Sequence, residues 1–493
     1  MRIFEAIKRK DIAAVILFSL AALFLRLYKL GFCDFWYDEI FSIDIAKAPF
    51  LDWNPPLYFV ILHYWIKIFG VSEFYLRLPS VIFSVACVPC LYILGKKLFN
   101  PRVGLWGSFI AAFSALHVWY AQEARPYSLS VLLGLVSTYF LLKALLEKKT
   151  RYWAGFILFS VLGIYANITY FHFFLIAAQL AYLIIFLKDK SPCKIVYFLP
   201  VIFLFIPILE NFLTKFNYVR GGFWIPPPTF RSFITTFENF NFGFNGNFVL
   251  YMLSDIWAGL LLAGALIFVR RQPQYKQGLI FLLMLTALPV AAIFLISKIL
   301  FPIYLDRGLL IFSPYYYLAL AVGADYFLKT RFKAVLILLT SFLFATGLLG
   351  YYLNWMPAPI GHHLGVHLKK PFKPAIKFLE ENFIPGDKVF HTNSTSRETF
   401  RFYSKDIPQY FLFTQGMIDT SWKRPYLGSL MEMRVTDLNL TPGERIWVIS
   451  CDWPRKGPLD DNSRAVKSQM DKRYKLDFIK EFEGLWIFRY VNR

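Results

Sequence analysis

LRLPSVIFSVACVPCLYILGKK, residues 76–97, is the stretch whose reading decides the fold class. Residues 76–95 are an apolar run with a single charge, Arg77, near its start, and Lys96 and Lys97 close the stretch. A helix needs about 20 mainly apolar residues to cross the hydrocarbon of a bilayer, and a basic pair just beyond such a run marks its cytoplasmic end. Cys87 and Cys90 have C-x-x-C spacing, but they lie inside the run with no second pair nearby. Helix packing is therefore their reading, rather than zinc or redox chemistry.

Working outward, about eleven segments qualify or nearly qualify as spans. They centre on residues 11–28, 76–95, 103–118, 127–146, 153–168, 171–187, 195–210, 253–269, 278–297, 308–328 and 333–352. Alternation from an inside N-terminus, basic through Arg2, Lys8, Arg9 and Lys10, puts Lys96, Lys97 and Arg102 on the cytoplasmic side. Lys143, Lys148, Lys149 and Arg151 join them, then Lys188, Lys190 and Lys194, then Arg270, Arg271 and Lys276, then Lys329, Arg331 and Lys333. Every second loop is basic, as the positive-inside rule requires. The first apolar run lacks a small-residue cleavage site and reads as a retained span. The 493 residues are 57% hydrophobic, 19% aromatic and 17% charged, with a mean hydropathy of +0.48. A soluble enzyme carries about 25% charged residues. The net charge of +21 accordingly serves membrane topology and not nucleic acid.

Carboxylates gather on the opposite face: Asp34, Asp38, Glu39, Asp44, Asp52, Glu73, Glu123, Glu210, Glu238, Asp255 and Asp306. Residues 56–70 are apolar but too short to cross and read as a helix lying along the interface. The loop 211–254, with Gly221, Gly222 and Pro226 to Pro228, is expected to move or to cover something. After Tyr352 the pattern changes. Residues 373–382 and 461–473 look helical, and 388–391, 410–413, 445–450 and 485–490 look like strands. The predicted architecture is mainly α, a polytopic membrane helix bundle (1–355) followed by an extracytoplasmic α/β domain (356–493).

Trp36-Tyr37-Asp38-Glu39 sets two adjacent carboxylates in an aromatic, partly dehydrated loop. Limited hydration and a neighbouring charge disturb carboxylate ionisation and suit a general base. Adjacent residues share no helix face, so one of them, Asp38 for preference, would meet a reacting atom. On spacing alone a solvated helix cap is the weightier reading. Asn54-Pro55-Pro56 is a rigid helix start. Glu123 and Arg125 lie between two spans, where Arg125 suits a phosphate and equally an ion pair. Arg307 follows Asp306 at the mouth of the tenth span, where an interfacial anchor competes with a phosphate site. His172 could bind a phosphate, share a proton or bond a carbonyl, the commonest fate of a lone histidine. Tyr218, Phe223 and Trp224 could stack on a sugar. Nucleotide, dinucleotide, zincin and serine-hydrolase signatures are absent.

These motifs resemble the GT-C fold integral-membrane glycosyltransferases, specifically the family 39 type related to protein O-mannosyltransferases and aminoarabinose transferases. The resemblance runs through residues 36–39, 54–58, 73–80, 117–127 and 165–172 in order, and more loosely through 304–314. It implies a polyprenyl-phosphate-linked sugar donor, an acceptor (glycan, lipid or protein) on the extracytoplasmic face, and transfer with inversion in the plasma (inner) membrane. It makes Asp38 the base, with Glu39 beside it. Arg125 and Arg307 become donor-phosphate ligands and Glu123 the residue that orients Arg125; Asn54 and His172 complete the substrate-binding set. Relatives carry histidine where Asn54 stands, and asparagine cannot become cationic. No cofactor is required; a divalent metal is compatible with the carboxylate excess, but no ligand spacing demands one. A transporter or flippase of lipid-linked sugars is the alternative, with an inactive scaffold behind it. Transporters keep ionisable residues near the bilayer midplane, whereas here they cluster at helix ends.

Overall fold

The computed structural model describes residues 9–167, 169–186, 193–221, 225–244, 247–353, 355, 370–404, 406–414, 432–451 and 461–492. Residues 356–369 at the expected domain boundary lie outside them, as do Arg2, Lys8, Lys188, Lys190, Gly222, Phe223 and Trp224. The chain packs as two units. One comprises Met1–Leu30, Ala48–Val71 and Tyr75–Val366; the other comprises Gly31–Lys47, Ser72–Phe74 and His367–Arg493.

The first unit is helical. Among the described residues six helices are long and apolar enough to cross a bilayer: Glu73–Leu98, Tyr127–Glu147, the interrupted Lys194–Arg220, Phe248–Arg271, one over Pro273–Ile299, and Lys333–Tyr352. A seventh span is the bent pair Pro101–Phe113 and Ala115–Ala121. Arg9–Leu27, Thr150–Ala166, His172–Phe186 and Ser313–Phe327 are further apolar helices, and the chain is a multi-pass membrane protein. Ser313–Phe327 is apolar on every side and buried from Ser313 through Asp325, as a helix at the centre of a bundle must be. A Cβ on Gly95 would stand 2.7 Å from the Cα of Gly104, so the helices Glu73–Leu98 and Pro101–Phe113 meet backbone to backbone. Two expectations change in detail. The predicted span 195–210 is divided into Cys193–Val196, Leu199–Phe203 and Leu209–Arg220, with Pro200 and Pro207 removing backbone donors. The long loop after it is mostly helical, through Phe230–Phe242, which starts at a capping box on Thr229.

The bent pair turns by 57° at Ser114, which leaves carbonyls without helical donors in an apolar medium where they must be satisfied. Arg26, fully buried, meets that need: it donates to Ala111 O and Ala112 O, each at 2.9 Å, and to Ser84 Oγ at 2.8 Å. Gln122, just past the second half, donates to Arg26 O and Tyr28 O. At one end of the unit the basic residues converge on two carboxylates. Asp325 takes Arg102 at 2.7 Å, Lys329 at 3.0 Å and the Asn100 amide at 3.1 Å. Glu147 takes Lys97 and Lys143. Loops predicted to share one face therefore do share one end.

The second unit is built on a six-stranded sheet: β1 (Lys388–His391), β2 (Gln409–Phe413), β3 (Glu432–Arg434), β4 (Arg445–Cys451), β5 (Lys475–Phe482) and β6 (Leu485–Val491). The order is β3-β2-β1-β4-β6-β5, parallel as far as β4 and antiparallel beyond it. Alternation along β4 serves two cores: Trp447 and Ile449 pack with Phe372, Ile376 and Leu379, while Ile446 and Val448 pack with Val466 and Met470. The helices Phe372–Asn382 and Asp461–Arg473 stand where expected, and β1, β2, β4 and β6 do as well. Two strands were not expected from the sequence: β3, only three residues long, and β5, an edge strand whose Lys475, Asp477, Lys480 and Glu481 mask the apolar alternation.

Candidate functional site

In the second unit Asp38 and Glu39 open the helix Tyr37–Lys47, which is buried over most of its length. Asp38 is 9% exposed and Glu39 fully buried. Glu39 Oε2 accepts from the Trp36 backbone N–H at 3.4 Å, the reach-back of an N3 carboxylate to the N-cap. Thus the two neighbouring acids differ in duty: Glu39 fixes the start of the helix, and Asp38 occupies the preceding position in the same first turn. Ser42 Oγ donates to the Asp38 carbonyl at 3.0 Å. Upstream, burial raises the pKa of Asp34, against the backbone N–H and charge of Lys373.

The other five predicted residues belong to the helical unit. Trp119 Nε1 donates to Glu123 Oε1 at 2.9 Å, which fixes that carboxylate one turn away. Arg125 lies over the Tyr127 ring at 5.8 Å, and its carbonyl accepts from Ser80 Oγ at 3.1 Å, itself bonded to Tyr58 OH. Tyr120 is buried against the Tyr127 and Phe244 rings, and Glu123, Arg307 and Asp306 are near enough to act electrostatically on its hydroxyl. Asp306 accepts from Asn239 at 3.3 Å, and Arg307 is buried. Gly308 lets this segment approach Phe171 closely, since a Cβ there would stand 2.7 Å from the Phe171 ring.

His172 begins the helix His172–Phe186. It is fully buried, its imidazole occupying the space a Cβ on Gly163 would need, and neither ring nitrogen has a hydrogen-bond partner among the described residues. The turn before it is organised by Asn167, whose Oδ1 accepts from Thr169 and Phe171. Asn54 is buried, bonded to Asp52 through its backbone and side chain. Lys215 Nζ donates to Asn54 Oδ1 at 2.8 Å and lies over the Tyr170 ring, so a cation stands where asparagine supplies none. Asn54, Lys215 and the 167–172 turn thus come together, while Glu123 and Arg307 both lie in the electrostatic neighbourhood of Tyr120. Among the described residues no three His, Cys, Asp or Glu side chains are grouped to hold a metal ion.

Three participants were not foreseen. Arg26 had a readable signal, a lone arginine within an apolar run. Lys215 had none, because its partners Asn54 and Tyr170 are remote in sequence; Tyr120 lies inside the 117–127 motif, where nothing local marks it apart from its aromatic neighbours.

Residues 53–210 match the family model described as dolichyl-phosphate-mannose-protein mannosyltransferase. No curated protein sequence matches the chain. Among solved structures, ArnT from Cupriavidus metallidurans in the apo state superposes with a TM-score of 0.62 at 11% identity, covering 97% of this chain and 98% of that one. ArnT bound to undecaprenyl phosphate gives 0.58 at 11% identity, covering 96% and 97%. The Archaeoglobus fulgidus oligosaccharyltransferase, in complex with Zn and sulfate, gives 0.51 at 12% identity over 79% of this chain and 61% of that one. The fold is therefore the GT-C fold that the motifs led us to expect.

Proposed function

We propose that this chain is a membrane glycosyltransferase that moves a sugar from a polyprenyl-phosphate donor to an acceptor hydroxyl. The observation that carries the reading is the match along nearly the whole chain to a protein solved with undecaprenyl phosphate, joined to the family match over residues 53–210. The acceptor O–H gives its proton to Asp38, its oxygen forms the bond to the anomeric carbon, and the C–O bond to the donor phosphate breaks with its electron pair on the departing polyprenyl phosphate. That departure needs cations at the leaving oxygen, and attack with inversion needs a base on the opposite side of the carbon. Arg125 and Arg307 hold the phosphate, Glu123 orients Arg125, and Lys215 adds charge beside Asn54. The buried setting of Asp38 supports its role as base, and the engagement of Glu39 with the Trp36 backbone favours Asp38 over its neighbour. His172 shapes the floor of the donor site through the turn it follows. The α/β domain is extracytoplasmic, and the membrane is the plasma membrane.

Mass spectrometry of outer-surface glycans from cells with and without the chain tests this. A sugar missing only in its absence identifies donor and acceptor together; identical glycans under conditions where the chain is expressed would overturn the assignment.

A further inference from the structure

The segment that carries Asp38 and Glu39 packs with the α/β domain, more than 320 residues away in sequence, and does so at both of its ends. On the upstream side, the Lys373 backbone N–H donates to Asp34 Oδ2 at 2.8 Å. Tyr403 OH accepts from the Phe35 backbone N–H at 2.8 Å and donates to Glu73 Oε1 at 2.6 Å. Glu73 is also paired with Lys373 Nζ at 2.5 Å, and the Phe402 and Tyr403 rings pack on Phe35. On the downstream side, Arg401 reaches Asp44 Oδ2 at 2.9 Å while its Nε is held by Glu398 Oε2 at 2.7 Å. Arg401, Phe402 and Tyr403 are consecutive residues at the end of one helix, Ser394–Tyr403. One turn of the α/β domain thus grips residues three before and six after Asp38.

We infer that Tyr403 and Arg401 are positioning residues for Asp38, so that the α/β domain sets the geometry of the base in addition to any part it has in acceptor recognition. This rests on the reading of Asp38 as base. A hydroxyl that both accepts a backbone N–H and donates to a carboxylate fixes direction as well as distance, and its removal leaves both partners to find water. A displacement of 1 Å at a reacting group costs about a hundredfold in rate. Binding of the donor, held by other residues, does not depend on it. The signature is a fall in kcat at constant KM.

The test uses the full chain in lipid nanodiscs. Tyr403→Phe and Arg401→Gln are expected to lower kcat about tenfold to a hundredfold with donor KM unchanged, and Arg401→Lys to recover part of the loss. Hydrogen–deuterium exchange over residues 34–47 should speed by about tenfold in Tyr403→Phe, with β4 unchanged as the internal reference for intact folding. Wild-type kcat in both variants overturns the inference, whether or not exchange changes. Faster exchange that extends to β4 also overturns it, since Tyr403 would then hold the domain together and not the segment. Asp38→Asn with undiminished transfer would instead remove the base assignment, and exchange over 34–47 would still report on the grip; the two failures are therefore distinct.

Discussion

Replacing Arg26 with methionine keeps the length and apolar stem of the side chain but removes the guanidinium that satisfies Ala111 O and Ala112 O at the 57° bend. Each buried carbonyl left without a donor costs about 1–3 kcal/mol, or about 2–6 kcal/mol for the two. Against this, a cation is no longer buried, and insertion into a membrane helix penalises arginine by about 2.5–3.5 kcal/mol. The terms largely offset, so the net change should lie between a stabilisation of about 1.5 kcal/mol and a destabilisation of about 3.5 kcal/mol. The geometric consequence is not offset. The half-helix Ala115–Ala121 leads directly into Glu123 and Arg125, and its tilt depends on carbonyls held at the bend. We expect Arg26→Met to lower sugar transfer about a hundredfold, the scale of a 1 Å misplacement, while the midpoint of thermal unfolding in detergent shifts by only a few degrees. Arg26→Lys, which can reach one carbonyl but not three acceptors at once, should fall between. Wild-type transfer by Arg26→Met would show that other contacts hold the bend and that Arg26 does not set it.

Glu39→Gln keeps an acceptor for the Trp36 N–H and should retain most of the transfer activity, whereas Glu39→Ala should lower stability by about 1 kcal/mol; a kinetic and thermal comparison of the two checks this. Asp325 is 0% exposed while Arg102 and Lys329 are 59% and 43% exposed. Removing both cations strands a buried carboxylate at a cost of about 3–5 kcal/mol, but Asp325→Asn frees cations that water can reach. Thermal unfolding should therefore rank the double variant Arg102→Gln/Lys329→Gln well below Asp325→Asn. Burial pushes the His391 pKa down to about 3, with Gln409 acting against it. The unfolded chain binds a proton as pH falls through about 6.5 while the folded chain does not, so stability present at pH 7 is lost on acidification, about 2 kcal/mol by pH 5. His391→Asn should flatten that part of the pH dependence of thermal unfolding.

The bundle was legible because a bilayer sets a length that apolar runs must reach, and the basic ends of those runs are visible in the chain itself; Arg102 and Lys329 meet at Asp325 as the alternation of loops implied. Four of the six strands were legible, β1 and β4 because they are buried on both faces and read as apolar runs. The candidate site was legible only as motif. Nothing local distinguishes Asp38 from Glu39, and the distinction comes from a backbone N–H that only a folded turn presents. The association of residues 31–47 with the α/β domain could not be read at all. It depends on pairs such as Arg401 with Asp44, 357 residues apart, and neither residue's immediate neighbours mark it.

The proposed mechanism turns on Asp38 taking the proton of the acceptor while a polyprenyl phosphate departs. Its most direct measurement is the release of polyprenyl phosphate by the purified chain in liposomes supplied with lipid-linked sugar and acceptor, for wild type and Asp38→Asn. Release is expected to fall by about 10²–10⁴-fold in the variant, with donor binding and thermal stability preserved. Release at the wild-type rate would contradict that mechanism.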